Sequence, residues 1–484
     1  MAANKRPVST RQQERRRRRR KAIALRILTG VIVAGLAVGA FFGIRAAYRG
    51  IRGWVDSVMN DPLLETTTPA GQETVSTTPE PTTEDERTRY AEILAQAELL
   101  AQSYDYDGAM AYLQSQGDYG RSAVLQETYQ EYLRQKTTLV EVDITQVYHV
   151  FFHSLIVDTS LAFDGDEDTD GYNQVMTTVD EFNAMMQQMY DNGFVLVKLH
   201  DMAYTDANGD FVQGTIMLPE GKKPFVISVD DVSYYAYMQG DGFATKIVLD
   251  ERGNPVCEYK NPDGSVVTGD YDVVPLLERF IKQHPDFSYK GARGCIALTG
   301  YEGILGWHTA PMFSDPNDED YKPEYASIDV EYERAEAAKV AARMEELGWE
   351  FASHSWGHIN MGQVDIGWLM NDVTKWKTQV DSLLGNDTDI LIFAFGVDFG
   401  SWRPYDSSTD ATYKWLKEQG FKYFCPVDSY NIPWVQFSAK EGYLRQGRVN
   451  LDGYEMYYKP EKLDIFFDTD SVFDKSRPLP VPSY

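Results

Sequence analysis

Apolar positions along the chain change their period near Thr138. Before it, "TRYAEILAQAELLAQSYDYDGAMAYLQSQ" and "YGRSAVLQETYQEYLRQKTTL" carry apolar residues every three or four positions with glycine-containing breaks, which predicts two or three short amphipathic helices. After it, β-branched apolar runs alternate with amphipathic segments. The runs are "YHVFFHSLIV", "FVLVKLH", "FVISV", "GCIALTG", "WEFASH", "ILIFAFGV", "KYFCPV" and, more weakly, "LDIFFDTD". Four helical segments end in a glycine ahead of such a run, at Gly193, Gly348, Gly385 and Gly420. Glycine supplies the left-handed C-terminal cap, so each marks a helix-to-strand junction. Repeated strand-helix-strand units imply a parallel sheet covered by helices, and seven or eight of them favour closure. The predicted fold is α/β, a distorted (β/α)7-type barrel, with an open doubly wound sheet as the alternative. No GxGxxG or GxxxxGK[ST] loop stands at a strand end, which weakens nucleotide-binding readings.

The N-terminal residues follow neither period. Ile27 to Ile44, "ILTGVIVAGLAVGAFFGI", carries no charge and is just long enough to span a bilayer. The arginine run before it places the N-terminus in the cytoplasm and the rest outside, at a cell membrane crossed once; a cleaved signal peptide is the rival reading. Residues 61–86 are rich in Thr, Pro and Glu and too poor in large apolar side chains to fold, which predicts a disordered spacer. The expected organisation is a basic segment (1–22), a transmembrane anchor (23–47), a juxtamembrane and linker stretch (48–86), a helical stalk (87–137), the main domain (138–470) and a tail (471–484).

Charge sharpens this picture. Met1 to Gly53 hold fourteen Lys or Arg against Glu14 alone, so the net charge of −27 divides into +13 for that segment and −40 for the remainder. A body so acidic excludes nucleic acid as its ligand. Cys257, Cys295 and Cys425 show no paired-ligand spacing and read as buried thiols, with at most one disulfide.

In a closed parallel barrel the site is built where strands exit at their carboxyl ends. There "FVISV" runs into Asp230 and Asp231, "WEFAS" into "HSWGH", "ILIFAF" into "GVDFG", and "KYFCPV" into Asp428. His354 and His358 stand four apart, which on a helical turn puts both imidazoles on one face, the spacing that grips a metal ion. Two imidazoles and a carboxylate leave positions open for water and substrate, as a hydrolytic centre needs. Side by side in a continuing strand, the two aspartates would point to opposite faces.

"FVISVDD" and "HSWGH" resemble the first two motifs of the polysaccharide deacetylases of carbohydrate esterase family four, the NodB homology domain. "YHVFFHSLI" with the helix after it resembles the opening strand and helix of some members, and the likeness covers roughly 147–470. The resemblance implies metal-dependent hydrolysis of N-acetyl groups on a polysaccharide such as peptidoglycan or a surface glycan. It assigns Asp230 as general base and Asp231, His354 and His358 as ligands of a divalent metal, zinc foremost. It further implies oxyanion or substrate contacts from the "FAFGVDFG" stretch, with Phe399 and Gly400 in the family's Tyr-Gly place. Arg403 and Arg448 are the nearby guanidinium candidates, and Asp428 and Trp434 loosely match the fourth motif. The family's last motif supplies a histidine as general acid, but none follows His358 here, which leaves His153 on the first strand and His308 in "LGWHTAP" as surrogates. A glycan-binding domain with impaired catalysis and an O-acetyl esterase are the alternatives.

Two insertions complete the reading. "DGDEDTDGY" from Asp164 resembles the start of a calcium loop, but the twelfth position counted from Asp166 is Thr177. Turn signals at "ERGN" and "NPDG" predict a hairpin beside the site.

Overall fold

The computed structural model describes residues 83–400, 402–428 and 431–483. The expected basic segment and transmembrane anchor lie outside the described residues, as does all but the last part of the linker. Among the described residues no helix is long and apolar enough to cross a membrane.

The predicted stalk forms α1 (Thr83–Arg89), α2 (Ala91–Gln102), α3 (Tyr106–Ser115) and α4 (Ala123–Lys136). Asp105 caps α3 through the Gly108 N–H, and Ser122 caps α4 through Leu125. Ala97, Leu100, Leu113, Leu125 and Tyr132 form their shared core. The stalk rests against the body: the Tyr104 hydroxyl donates to the Asp286 carbonyl at 2.9 Å and the Lys290 N–H to the Ser103 carbonyl at 2.7 Å.

The body is built on a curled ten-stranded sheet. Its strands are β1 (Tyr148–Phe152), β2 (Phe194–Leu196), β3 (Lys223–Asp230), β4 (Cys295–Leu298), β5 (Glu350–Ser353), β6 (Ile390–Ile392), β7 (Tyr423–Cys425), β8 (Val435–Ser438), β9 (Tyr443–Gln446) and β10 (Val449–Asn450). Their order is β8-β9-β7-β6-β5-β4-β3-β1-β10, with β2 also beside β3, and every pairing is parallel except β8 with β9. Helices of the body include α5 (Val179–Asp191), α6 (Val273–Gln283), α7 (Val330–Leu347), α8 (Ile366–Trp376), α9 (Ala411–Glu418) and α10 (Gly453–Tyr458).

Residues 443–450 make the sheet curl. They pair with β7 through Tyr423↔Leu444 and Phe424↔Arg445, then cross to β1 through Val449↔Val150 and Asn450↔Phe151. One stretch of chain therefore joins both ends of the sheet. This corrects the expectation for "LDIFFDTD": Leu463 to Asp470 form turns and the start of a short helix, and the joining strand comes earlier, in "YLRQGRVN". Its alternating polar residues hid it, because Gln446 and Arg448 turn inward to meet His149, Ser228 and Asp230.

Side-chain alternation divides the core. Val150, Phe152, Phe225, Ile227 and Val229 face the helices. Val226, Cys295, Ala297, Ala352, Ile392, Cys425 and Leu444 pack together inside the curl. All three cysteines are buried and unbridged. The predicted glycine junctions hold, with φ of 81° at Gly193, 109° at Gly348, 77° at Gly385 and 96° at Gly420. The predicted hairpin is a three-stranded antiparallel sheet, Lys246–Leu249, Pro255–Lys260 and Val266–Gly269.

The C-terminal residues are tied into the body. Arg477 and Glu181 have fully buried side chains, joined by Nε to Oε1 at 2.7 Å and Nη2 to Oε2 at 2.6 Å. The remaining guanidinium hydrogens reach Asn173 and the Met176 carbonyl. Removing one partner of such a pair strands a buried charge, so Arg477→Met is expected to lower stability by about 3–5 kcal/mol in urea denaturation; a loss under about 1 kcal/mol would mean that residues 471–484 are dispensable to the domain.

Candidate active site

Asp230 is the last residue of β3 and continues the inward series Val226, Ser228. At Asp231 the backbone turns left-handed, with φ of 58°, while its N–H donates to the Ala297 carbonyl on β4 at 3.2 Å. The strand thus stops between the two carboxylates, and both enter one mouth. Left-handed geometry in a non-glycine residue costs on the order of 1–3 kcal/mol and concentrates at functional sites.

"HSWGH" follows β5. The expected helical turn is absent: the two histidines sit in a loop with φ of 65° at Ser355 and 51° at His358. Local side chains hold that loop instead. Asp372 accepts from the Trp356 and Gly357 N–H groups at 2.6 and 2.8 Å, and the Ser355 hydroxyl accepts from the Ile359 N–H at 2.9 Å. The result still converges. His358 Nε2 lies 3.5 Å and His354 Nε2 3.9 Å from Asp231 Oδ2, and ligand atoms of the three residues lie within 4.8 Å of one another. His354 is oriented by Nδ1, 2.9 Å from the Ile392 carbonyl on β6, which leaves Nε2 facing the carboxylates. Burial, only partly countered by Asp231, pushes the His358 imidazole below its usual range and favours the neutral form that ligates. The donor set fits a divalent transition metal with open positions.

Asp230 has a different partner. Arg448 Nη1 donates to its oxygens at 2.7 and 2.9 Å, and to Ser228 Oγ at 3.2 Å. Both side chains are buried. Burial alone would raise this carboxyl, but the Arg448 guanidinium, helped by His354, holds it down to about 2. The Arg448 guanidinium also lies over the Phe151 ring at 4.1 Å. Below it, buried His149 bridges Ser228 Oγ at 3.0 Å and Gln446 Oε1 at 3.1 Å, while Gln446 donates to the Val147 carbonyl. Arg448, expected beside the oxyanion, is therefore bound to the acid.

The other sequence candidates divide. His153 stands one residue past the Phe152↔Val229 pairing, at the level of Asp230, with Nδ1 3.1 Å from the Val175 carbonyl. His308 instead faces Glu333, at 3.4 Å, and the Phe313 ring. Phe399 packs against Phe393, Tyr405 and Phe424, and the Gly400 N–H is taken by Asp398 Oδ1 at 2.7 Å. The Phe-Gly pair at the mouth is the earlier one: Phe395, with φ of 58°, is 64% exposed and lies 4.5 Å from the His358 ring centre. Chain position after "ILIF" was the available signal, and two Phe-Gly pairs four residues apart disguised it. Arg403 is exposed, and its carbonyl accepts from Arg445 at 3.1 Å. Asp428 is buried beside Arg448, donating its N–H to the Arg448 carbonyl at 3.0 Å. Trp434 meets exposed Trp402 edge-on at 5.0 Å. At the exit of β10, buried Asp452 accepts from Asn450 and caps α10; burial, opposed by these hydrogen bonds, raises its carboxyl to about 6. Outside this mouth, Asp166 and Asp168 of the calcium-like loop meet Asp241, while Thr177 hydrogen-bonds the Leu451 carbonyl.

Comparison with known proteins adds a likeness of shape. Two solved deacetylases are similar to this chain. The deacetylase PplD of Streptococcus pyogenes, solved in complex with acetate, is 14% identical over 67% of this chain and 97% of its own, with a TM-score of 0.35. BC0361, a polysaccharide deacetylase from Bacillus cereus, is 11% identical over 66% of this chain and 67% of its own, with a TM-score of 0.33. No family model and no curated protein matches. The geometry of the mouth therefore carries the functional argument.

Replacing Arg448 by Met strands the Asp230 charge in the interior, with an expected stability loss of about 3–5 kcal/mol. In the unmodified chain the depressed carboxyl contributes stability above its unfolded value near 3.8, lost as pH falls toward about 2. In the variant burial is opposed only by the nearby histidines and the carboxyl rises, so the deficit in urea should shrink as pH is lowered from about 7 to 5. A deficit independent of pH would mean that Arg448 acts through packing alone.

Proposed function

We propose that the protein is a metal-dependent carbohydrate N-deacetylase that removes acetyl groups from an extracytoplasmic polysaccharide, held at the cell membrane by residues 23–47. The observation that carries the reading is the convergence of Asp231, His354 and His358 within 4.8 Å, beside a separate, ionised Asp230. A divalent ion held by those three residues, zinc foremost, would polarise the acetamide carbonyl and acidify water.

The chain's own groups supply the rest. Asp230 takes a proton from the water whose oxygen bonds to the acetyl carbon, and Arg448 keeps that acceptor ionised. Its low pKa makes it a weak base, so the transfer would depend on the ion acidifying that water. The C–N bond then breaks toward acetate and a free amine, and the amine needs a proton. We assign that role to His153, which its level with Asp230 supports, and the contact of His308 with Glu333 counts against the other surrogate. The turn at Phe395 and Gly396 borders the position where oxyanion charge would develop.

The test is acetate release from acetylated chitooligosaccharides and peptidoglycan fragments by the chain loaded with Zn2+. His354→Ala should abolish metal binding and release alike with the fold retained, and His153→Ala should lower kcat by about 10²–10⁴-fold. Metal retention without release from any glycan amide or ester sinks the enzymatic reading in favour of glycan binding, and release from esters alone would make it an O-acetyl esterase.

A further inference from the structure

Asp231 has a second oxygen, and the mouth does not leave it free. After Asp231 the chain turns left-handed once more at Tyr234, φ 51°, and the Ala236 N–H is pinned by Glu302 Oε2 at 2.8 Å. This loop swings Tyr235 back over the aspartate four residues before it. The Tyr235 hydroxyl lies 2.6 Å from Asp231 Oδ1 and 2.7 Å from Thr299 Oγ1, and Tyr235 is buried.

Hydroxyl bookkeeping fixes the direction of these bonds. An ionised carboxylate only accepts, so the Tyr235 proton points to Asp231 and the phenol oxygen accepts from Thr299. Ser233 Oγ, 3.2 Å from Thr299 Oγ1 and 3.0 Å from the Gly303 carbonyl, has one proton to give to either acceptor. The tyrosine is itself braced by near-parallel rings, Tyr301 at 5.0 Å and Tyr237 at 5.8 Å. A short charge-assisted bond from a braced donor restricts how the carboxylate rotates.

We infer that Tyr235 is a positioning residue for the proposed metal, holding Asp231 Oδ1 so that Oδ2 alone faces the His354 and His358 imidazoles and the ligand set stays at three protein atoms. This rests on the metal reading above. Without the bond the carboxylate swings, and both oxygens become available to the ion, filling a position that water and substrate need.

The experiment uses the full-length chain with Zn2+, its Kd read by competition with a chromogenic chelator, and with Co2+, its visible absorption reporting coordination number. Tyr235→Phe should weaken Zn2+ binding about 10–100-fold and lower the Co2+ band intensity toward that of a higher-coordinate ion. Tyr237→Phe, which removes a hydroxyl from the same stack but none from Asp231, should leave both readouts unchanged, and near-UV circular dichroism verifies that each variant is folded. A folded Tyr235→Phe chain with unchanged or tighter Zn2+ binding and an unaltered Co2+ spectrum overturns the inference. If the unmodified chain binds no Zn2+ that His354→Ala abolishes, the metal reading itself fails, and the two failures are distinguished by that result alone.

Discussion

The buried ion pair between Arg448 and Asp230 is the constraint on which the body depends. Arg448 lies between β9 and β10, where the chain passes from β7 to β1 and joins the ends of the sheet. Asp230 ends β3, two strands from β10 through β1. A charge pair packed among side chains such as Val226, Ala297 and Ile392 is costly to desolvate, and with Arg448 Nε left without a hydrogen-bond partner it rests on Nη1, which reaches both Asp230 oxygens. Ser228 on β3 accepts from Arg448, and His149 on β1 links Ser228 to Gln446 on β9. The same pair that fixes the joining strand fixes the protonation of the candidate base.

Much of the architecture was legible because the sheet is parallel and covered. Strands buried on both faces read as continuous apolar runs, and the seven confident runs all became strands of the main sheet. The joining strand escaped for the opposite reason. "YLRQGRVN" places Leu444, Gln446 and Arg448 on the inward face, so its polar residues looked exposed when they line the interior. "LDIFFDTD" was mistaken for a strand because its apolar residues pack under helices: Leu463, Phe466 and Phe467 join the outer core without pairing to any strand.

The site divides along the same line. Asp230, Asp231, His354 and His358 were legible as residue types at strand ends, a matter of topology alone. How they converge was not, since it rests on left-handed backbone at Asp231, Ser355 and His358, a conformation uncommon for any non-glycine residue, although Asp and His are enriched in it, so sequence does not say which of them adopt it. The Phe-Gly assignment failed similarly. Phe399 and Phe395 are equivalent to any pattern, and only tertiary packing sends Phe399 into the cluster with Tyr405 and Phe424 while leaving Phe395 at the mouth.

Adjacent carboxylates of like charge resist joint ionisation in one cavity unless their surroundings differ. Here each has its own donor from a different direction: a guanidinium on the joining strand for Asp230, and a phenol on the loop after β3 for Asp231. The guanidinium cancels a full charge, which permits Asp230 to stay ionised while buried. The phenol is neutral and leaves the Asp231 charge in place, facing two imidazoles that carry no compensating cation of their own when neutral. A carboxylate beside two imidazoles is a donor set that a divalent cation would complete. The two aspartates thus differ by what each lacks: Asp230 is already neutralised by the chain, and Asp231 is not.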